Sequence, residues 1–171
     1  MPLYEINSMR PVIGEGTWIA PSAEVIGDVK IGRNCFIGFG AIIRGDFGAI
    51  LIGDESVVEE NVVIHVGSRA EIGDRVIIGH MAMIHDVIIK DCVLIGMQSM
   101  LCDNSIIGEW TIIAEKTLVK KNLVVPSYKI YGGSPAKEIG NLEERHREYL
   151  VSGQQAYVDL TKRYFNTFKK I

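Results

Sequence analysis

The chain is poor in the residues that mark several familiar protein classes. It has three cysteines, five prolines, two tryptophans and four histidines in 171 residues. Cys35, Cys92 and Cys102 are odd in number and show no C-x-x-C spacing, which argues against a disulfide framework or a thiolate metal site. They read as reduced thiols of a cytoplasmic protein, used as small buried side chains. Positive charge is not in excess: the net charge of -3 excludes nucleic acid as the main partner. No apolar run is long enough for a membrane span. The opening Met1-Pro2-Leu3-Tyr4-Glu5 lacks a basic segment followed by an apolar one, so no signal peptide is expected.

What is present is a repeat. Hydrophobic content of 47% and charged content of 23% describe a globular chain with one sizeable core. Aliphatic residues recur every six positions at Ile13, Ile19, Val25, Ile31, Ile37 and Ile43. The rhythm resumes at Ile52, Val58, Ile64, Ile72, Ile78 and Ile84, and runs again from Ile89 through Ile95, Leu101, Ile107 and Ile113 to Val119. Glycine often follows, and a small or β-branched residue often stands four positions on, as at Thr17, Ala41, Ser56, Val76, Ser99 and Thr111. A period of six is incompatible with an α-helix. It fits an all-β parallel β-helix, in which very short strands stack and glycine supplies a permissive backbone at the corners. Three units per coil predict about six coils and a prism roughly 30 Å tall at strand spacing.

Three steps break the rhythm. Ile43 to Ile52 is long and holds Arg44-Gly45-Asp46-Phe47-Gly48, Ile64 to Ile72 is long by two, and Ile84 to Ile89 is short by one. Such irregularities in solenoids map to loops, often on the binding face. The prism is expected to close by residue 137, after the breaker Gly133-Ser134-Pro135. Residues 138–171 then carry Tyr157, Leu160, Tyr164, Phe168 and Ile171 at helical spacing, an amphipathic helix packed on the prism. Asn141 and Glu144 are expected to cap it, Ser152-Gly153 to interrupt it, and His146 to be solvated.

Three of the four histidines, His65, His80 and His85, fall within two dozen residues. Neutral imidazole is a common metal ligand, and three imidazoles leave one open position, as in catalytic zinc centres. His65 and His85 follow Ile64 and Ile84, three units or one coil apart, so their backbones should lie about 5 Å apart on one edge. His80 lies one unit earlier than His85, up to about 16 Å of extended chain away. Bonds of about 2.0–2.1 Å do not easily gather all three from one chain. The simplest solution takes His80 from a neighbouring copy in a cyclic homotrimer.

Arg44-Gly45-Asp46, Asn61 to His65, Gly79-His80, Ile84-His85-Asp86, Ile95-Gly96-Met97 and Gly133-Ser134-Pro135-Ala136-Lys137 together resemble the γ-class carbonic anhydrase family, over Pro11 to Lys137. Met1-Pro2-Leu3-Tyr4-Glu5-Ile6 and Gly45-Asp46-Phe47-Gly48 are most similar to a bacterial branch of phenylacetate-pathway and carnitine-pathway proteins, some linked to CoA-thioester hydrolysis. The resemblance implies a left-handed β-helix and a trimer with zinc, or iron or cobalt, at subunit interfaces. It implies His65 and His85 as ligands from one subunit and His80 from the next.

A His₃ zinc centre makes hydroxide available near neutral pH, to attack CO₂ and give bicarbonate. The resemblance also implies that Arg44 holds bicarbonate or pairs with Asp46 across the interface, and that Tyr131 orients the metal's water. Glu59 stands where the family has glutamine, and Glu60 where it usually has aspartate. Glu59 would accept a hydrogen bond from that water while repelling bicarbonate. The long acidic loop carrying the archetype's proton-shuttling glutamate is absent, which predicts slow proton transfer to bulk. A thioester substrate, acyl transfer by a hexapeptide acyltransferase with a histidine base, and a non-catalytic scaffold are the alternatives.

Overall fold

The computed structural model describes residues 2–171. Its strands are mostly two residues long, because each hexapeptide unit spends two residues on a rung and the rest on a corner. The first residue of a rung faces outward and the second inward, as strand geometry requires. Every aliphatic of the repeat is buried except Ile13, which is only partly so. The small residues four positions later are buried too, filling the inner corners. The core is thus one column of stacked Ile, Val and Leu, in which each fully buried side chain contributes about 1.5–3 kcal/mol.

Rungs stack in parallel register. One face runs through Trp18–Ile19, Phe36–Ile37, Val57–Val58, Ile77–Ile78, Leu94–Ile95, Ile112–Ile113 and Lys129–Gly132. The solenoid therefore has about seven turns rather than six. The hexapeptide count stops at Val119, whereas Val125 and Tyr131 continue the inward column, and at Tyr131 an aromatic takes the aliphatic's place. The long step after Ile43 is also not a loop. Ile42–Ile52 forms one continuous strand that turns the corner alongside Glu24–Ile31, with a register shift between Gly27 and Val29.

The glycines after the aliphatics serve another purpose than corner flexibility. The left-handed corner residues are largely non-glycine, including Asn34, Glu55, Asn61, Arg75, Met81, Gln98, Asn104, Lys116 and Asn122. Gly32, Gly53 and Gly73 instead make room for the next coil. A Cβ on Gly53 would lie 2.3 Å from Asp74 Oδ1 and 2.6 Å from the Gly73 carbonyl carbon. Through these gaps runs a ladder in which Asp54 Oδ1 accepts from Arg33 N at 2.7 Å, Asp74 Oδ1 from Asp54 N at 2.8 Å, and Asp91 Oδ1 from Asp74 N at 2.9 Å.

After the last rung, strand Lys137–Asn141 pairs antiparallel with Lys129–Gly132, so the chain stays on the prism to Asn141. The helix then runs unbroken over Glu144–Thr167. Its cap is Glu143 rather than Asn141, and His146 is not merely solvated: its Nδ1 accepts from Glu143 N at 2.9 Å. Ser152-Gly153 does not interrupt the helix, because the packed face outweighs glycine's poor propensity. That face covers the Trp18/Phe36 side of the prism, with Tyr164 4.8 Å from Trp18 and Tyr157 5.1 Å from Phe36 between ring centroids. Gln154 Nε2 also donates to Glu55 O at 3.0 Å.

Candidate functional site

Arg44, His65 and His85 occupy equivalent outward positions on three successive rungs, paired Arg44 with His65 and His65 with His85. Each follows an inward isoleucine, so alternation alone turns them out of the core. The two imidazoles are 5.3 Å apart between centroids. His65 Nε2 lies 3.1 Å from Asp46 Oδ1, and the other oxygen of Asp46 is bridged by the Arg44 guanidinium. That ion pair forms within one chain, because residues two apart on a strand share a face. Burial pushes the Asp46 carboxyl up, but Arg44, its own backbone and His65 outweigh this and hold it below the usual range. Phe47 is 74% exposed and stands edge-on to His65 with ring centroids 6.0 Å apart.

His85 has its own carboxylate. Its Nδ1 is 2.8 Å from Asp103 Oδ1, and Lys121 Nζ holds the other oxygen. Lys121, then His85, keep the Asp103 carboxyl down at about 2. Asp86 does something different: its Oδ1 accepts from the backbone N–H groups of Gly67, Ser68 and Arg69 at 2.9–3.1 Å. It thereby pins the bend that follows His65, the step that is long by two.

His80 lies on the other edge of the same prism face. Its Nε2 is 3.1 Å from Glu59 Oε2 and its Nδ1 2.8 Å from Glu60 Oε2, while its backbone N–H donates to Glu59 at 2.9 Å. Between the two edges the outward residues Ile42, Val63, Met83, Met100 and Leu118 stack in register into an apolar stripe. Among the described residues, the one group of three metal-ligating side chains with mutually close donor atoms is His85, Asp86 and Asp103, and His80 is not part of it. A single chain brings His65 and His85 together and leaves His80 apart.

Tyr131 does not reach these groups. It pairs with Ile113, three rungs beyond Ile78, which is roughly 14 Å at rung spacing. It packs on the end of the core instead. The tyrosine that approaches the site is Tyr157 of the helix. Burial, and then its facing of the buried Glu59 carboxylate, raise its phenol pKa. Tyr157 carries no site signal in the sequence, since only the docking of the helix brings it to Glu59. Asp103 and Lys121 were reachable by register: Leu101 pairs with Ile84, which puts Asp103 just past the position opposite His85.

The donor set fits a divalent cation of zinc type. It holds imidazoles on adjacent rungs, and among the described residues the one close group of donor atoms contains no cysteine, although Cys102 stands opposite His85 on the next rung. With carboxylates as acceptors, His85 keeps Nε2 free and His65 keeps Nδ1 free, and either imidazole nitrogen can ligate.

Residues 10–45 match the family described as bacterial transferase hexapeptide (six repeats). The chain is 32% identical over 168 residues to gamma carbonic anhydrase 2, mitochondrial, of Arabidopsis thaliana, covering 94% of this chain. It spans 60% of that plant protein's length. It is also 32% identical to the carnitine operon protein CaiE of Proteus, covering 95% of this chain and 84% of that one. Among solved structures, a hexapeptide transferase family protein from Anaplasma phagocytophilum superposes with a TM-score of 0.92 at 30% identity, covering 95% of this chain and 98% of that one. With the repeat, the solenoid and these relatives together, the chain belongs to the hexapeptide-repeat family, with CaiE and γ-carbonic anhydrases among its homologues.

Proposed function

We propose that this protein is a metal-dependent hydrolytic or hydrating enzyme of γ-carbonic anhydrase type, acting on CO₂ at sites shared between the subunits of a homotrimer. The observation that carries the reading is the stacked pair His65 and His85, with rings 5.3 Å apart, across one apolar face from His80. That face leaves Met81, Met97 and Met100 about half exposed in the single chain. A threefold axis parallel to the prism buries it and brings the His80 edge of one copy to the His65/His85 edge of the next, in a heterologous interface that closes.

His65, His85 and the neighbour's His80, the last giving up one of its two carboxylate contacts to Glu59 and Glu60, would hold zinc, iron or cobalt. The ion, when bound, supplies Lewis acidity and hydroxide near neutral pH. Arg44 offers a cation beside the pair for a bicarbonate product, at the expense of its bridge to Asp46. Glu59, fixed by His80 N and faced by Tyr157, stays within reach of a proton on the His80 side. Tyr131 has no part in this reading. A parallel threefold axis leaves every residue at its own height, so it stays about three rungs away in each copy.

A second reading, hydrolysis of a CoA thioester, draws support from Phe47. An exposed phenyl ring beside His65 offers an apolar wall to an acyl group and nothing to CO₂. Stopped-flow CO₂ hydration with metal analysis, on wild type and Glu59→Gln, separates the two. Hydration that is lost with chelator supports the first reading. A metal-loaded wild type that hydrates no CO₂ but hydrolyses thioesters replaces it with the second. Acyl transfer insensitive to chelator overturns both in favour of a hexapeptide acyltransferase.

A further inference from the structure

We infer that Asp103, clamped by Lys121, is a positioning residue that fixes His85 as its Nδ1–H tautomer and aims Nε2 at the ion. The inference rests on the metal reading above but concerns residues outside the three-histidine set.

The geometry is that of a cation, a carboxylate and an imidazole in line. Asp103 Oδ1 lies 2.8 Å from His85 Nδ1, and Lys121 Nζ takes the second oxygen. An ionised carboxylate accepts and never donates, so the proton between the two belongs to Nδ1. The neutral ring then has its lone pair on Nε2. The rival acceptor, Asp86 Oδ2, is 3.8 Å from the same nitrogen, beyond hydrogen-bond range, and its Oδ1 is occupied by three backbone N–H groups. Asp103 therefore sets the tautomer without competition.

Lys121 has a second effect. A free carboxylate so close to the ring would itself be a candidate ligand. With one oxygen on a lysine and the other on an imidazole N–H, Asp103 stays one bond removed from the ion, and the donor set remains imidazole. Arg44–Asp46–His65 repeats the same sequence of cation, carboxylate and ring on the neighbouring position. Each histidine of the stacked pair thus has its own clamped carboxylate.

The test is histidine ¹⁵N NMR of the metal-free protein at mildly alkaline pH, with His85→Gln for assignment, together with zinc affinity by competition with a chelating dye. In wild type the His85 Nδ1 is protonated. Asp103→Ala mixes the tautomers and weakens zinc binding about 10–100-fold. Asp103→Asn keeps an acceptor oxygen, restores the tautomer and recovers part of the affinity. A wild-type His85 protonated on Nε2 overturns the inference, and that measurement needs no variant to fold. So does Asp103→Ala that melts earlier with tautomer and zinc affinity unchanged, since Asp103 is then only a rung-to-rung ion pair. A wild type that binds no zinc refutes the proposed function itself. Zinc binding indifferent to Asp103 refutes this inference alone.

Discussion

Gly53→Ala tests why the glycines of the repeat are glycine. If they supplied only backbone freedom, the change would be neutral or would stabilise the chain by up to about 1 kcal/mol, since Gly53 does not occupy the left-handed region. The structure gives a cost instead. The new methyl would lie 2.3 Å from Asp74 Oδ1, 2.6 Å from the Gly73 carbonyl carbon and 2.7 Å from Asp74 N. Two of these are backbone atoms, so the coils must separate locally. Overpacking of that kind costs about 1–3 kcal/mol. The separation also lengthens Asp54 N to Asp74 Oδ1 and Gly53 N to Ile72 O, both 2.8 Å now. Such bonds are worth about 0.5–1.5 kcal/mol each, more where a charge is involved. The sum is about 2–6 kcal/mol, or a fall in melting temperature of roughly 4–24 °C at the sensitivity of a chain this size. Lys116→Gly is the counterpart. Lys116 sits at φ 57°, and relief of left-handed strain offsets glycine's entropy, so its stability should move by less than about 1 kcal/mol. Urea and thermal unfolding of both variants decide the matter. Gly53→Ala within about 0.5 kcal/mol of wild type, or more stable than it, would refute the close-approach argument.

Burial pushes the Cys35 thiol up to about 11, so native protein at mildly alkaline pH should leave it unlabelled by a maleimide while the partly exposed Cys102 reacts. Mass spectrometry of the labelled chain checks this, and rapid modification of Cys35 in folded protein contradicts it. The Arg33 side-chain hydrogen bond, foremost, holds the Asp54 carboxyl below its unfolded value, so this pair's contribution is present above about pH 4 and is lost as pH falls through the lowered folded value. Arg33→Gln should therefore flatten the acid limb of the stability–pH curve and change little of its shape near neutrality. Gly153→Ala should stabilise the helix by about 0.5–1 kcal/mol. The added Cβ would meet Ile77 Cδ1 at an ordinary 3.7 Å, and a lowered melting temperature would show the helix packed closer than described.

Much of the fold was legible because one period governs it. An inward isoleucine every six residues sets rung, corner and core together, and the same count placed His65 and His85 on adjacent rungs. The count failed where the inward residue changed type, at Tyr131, and where Ile42–Ile52 kept pairing around a corner that the spacing suggested was a loop. The glycines were misread because flexibility and close approach leave the same residue in the sequence. The helix cap and the role of Tyr157 were illegible for another reason. Both depend on where the helix docks, which no local pattern encodes, whereas the Asp103 partner of His85 followed from register already in hand.

The sharing of a site between copies is the central claim, and subunit mixing tests it most directly. His80→Ala and His85→Ala each remove one side of every shared site, so neither homotrimer should hold metal. In a mixed cyclic trimer, one interface joins an intact His80 to an intact His65/His85 pair. Random equimolar assembly should then restore about a quarter of the wild-type metal content. Metal analysis of the refolded mixture giving that fraction would bear the account out. A mixture as empty as its two parents, or a His80→Ala monomer with full metal, would contradict it.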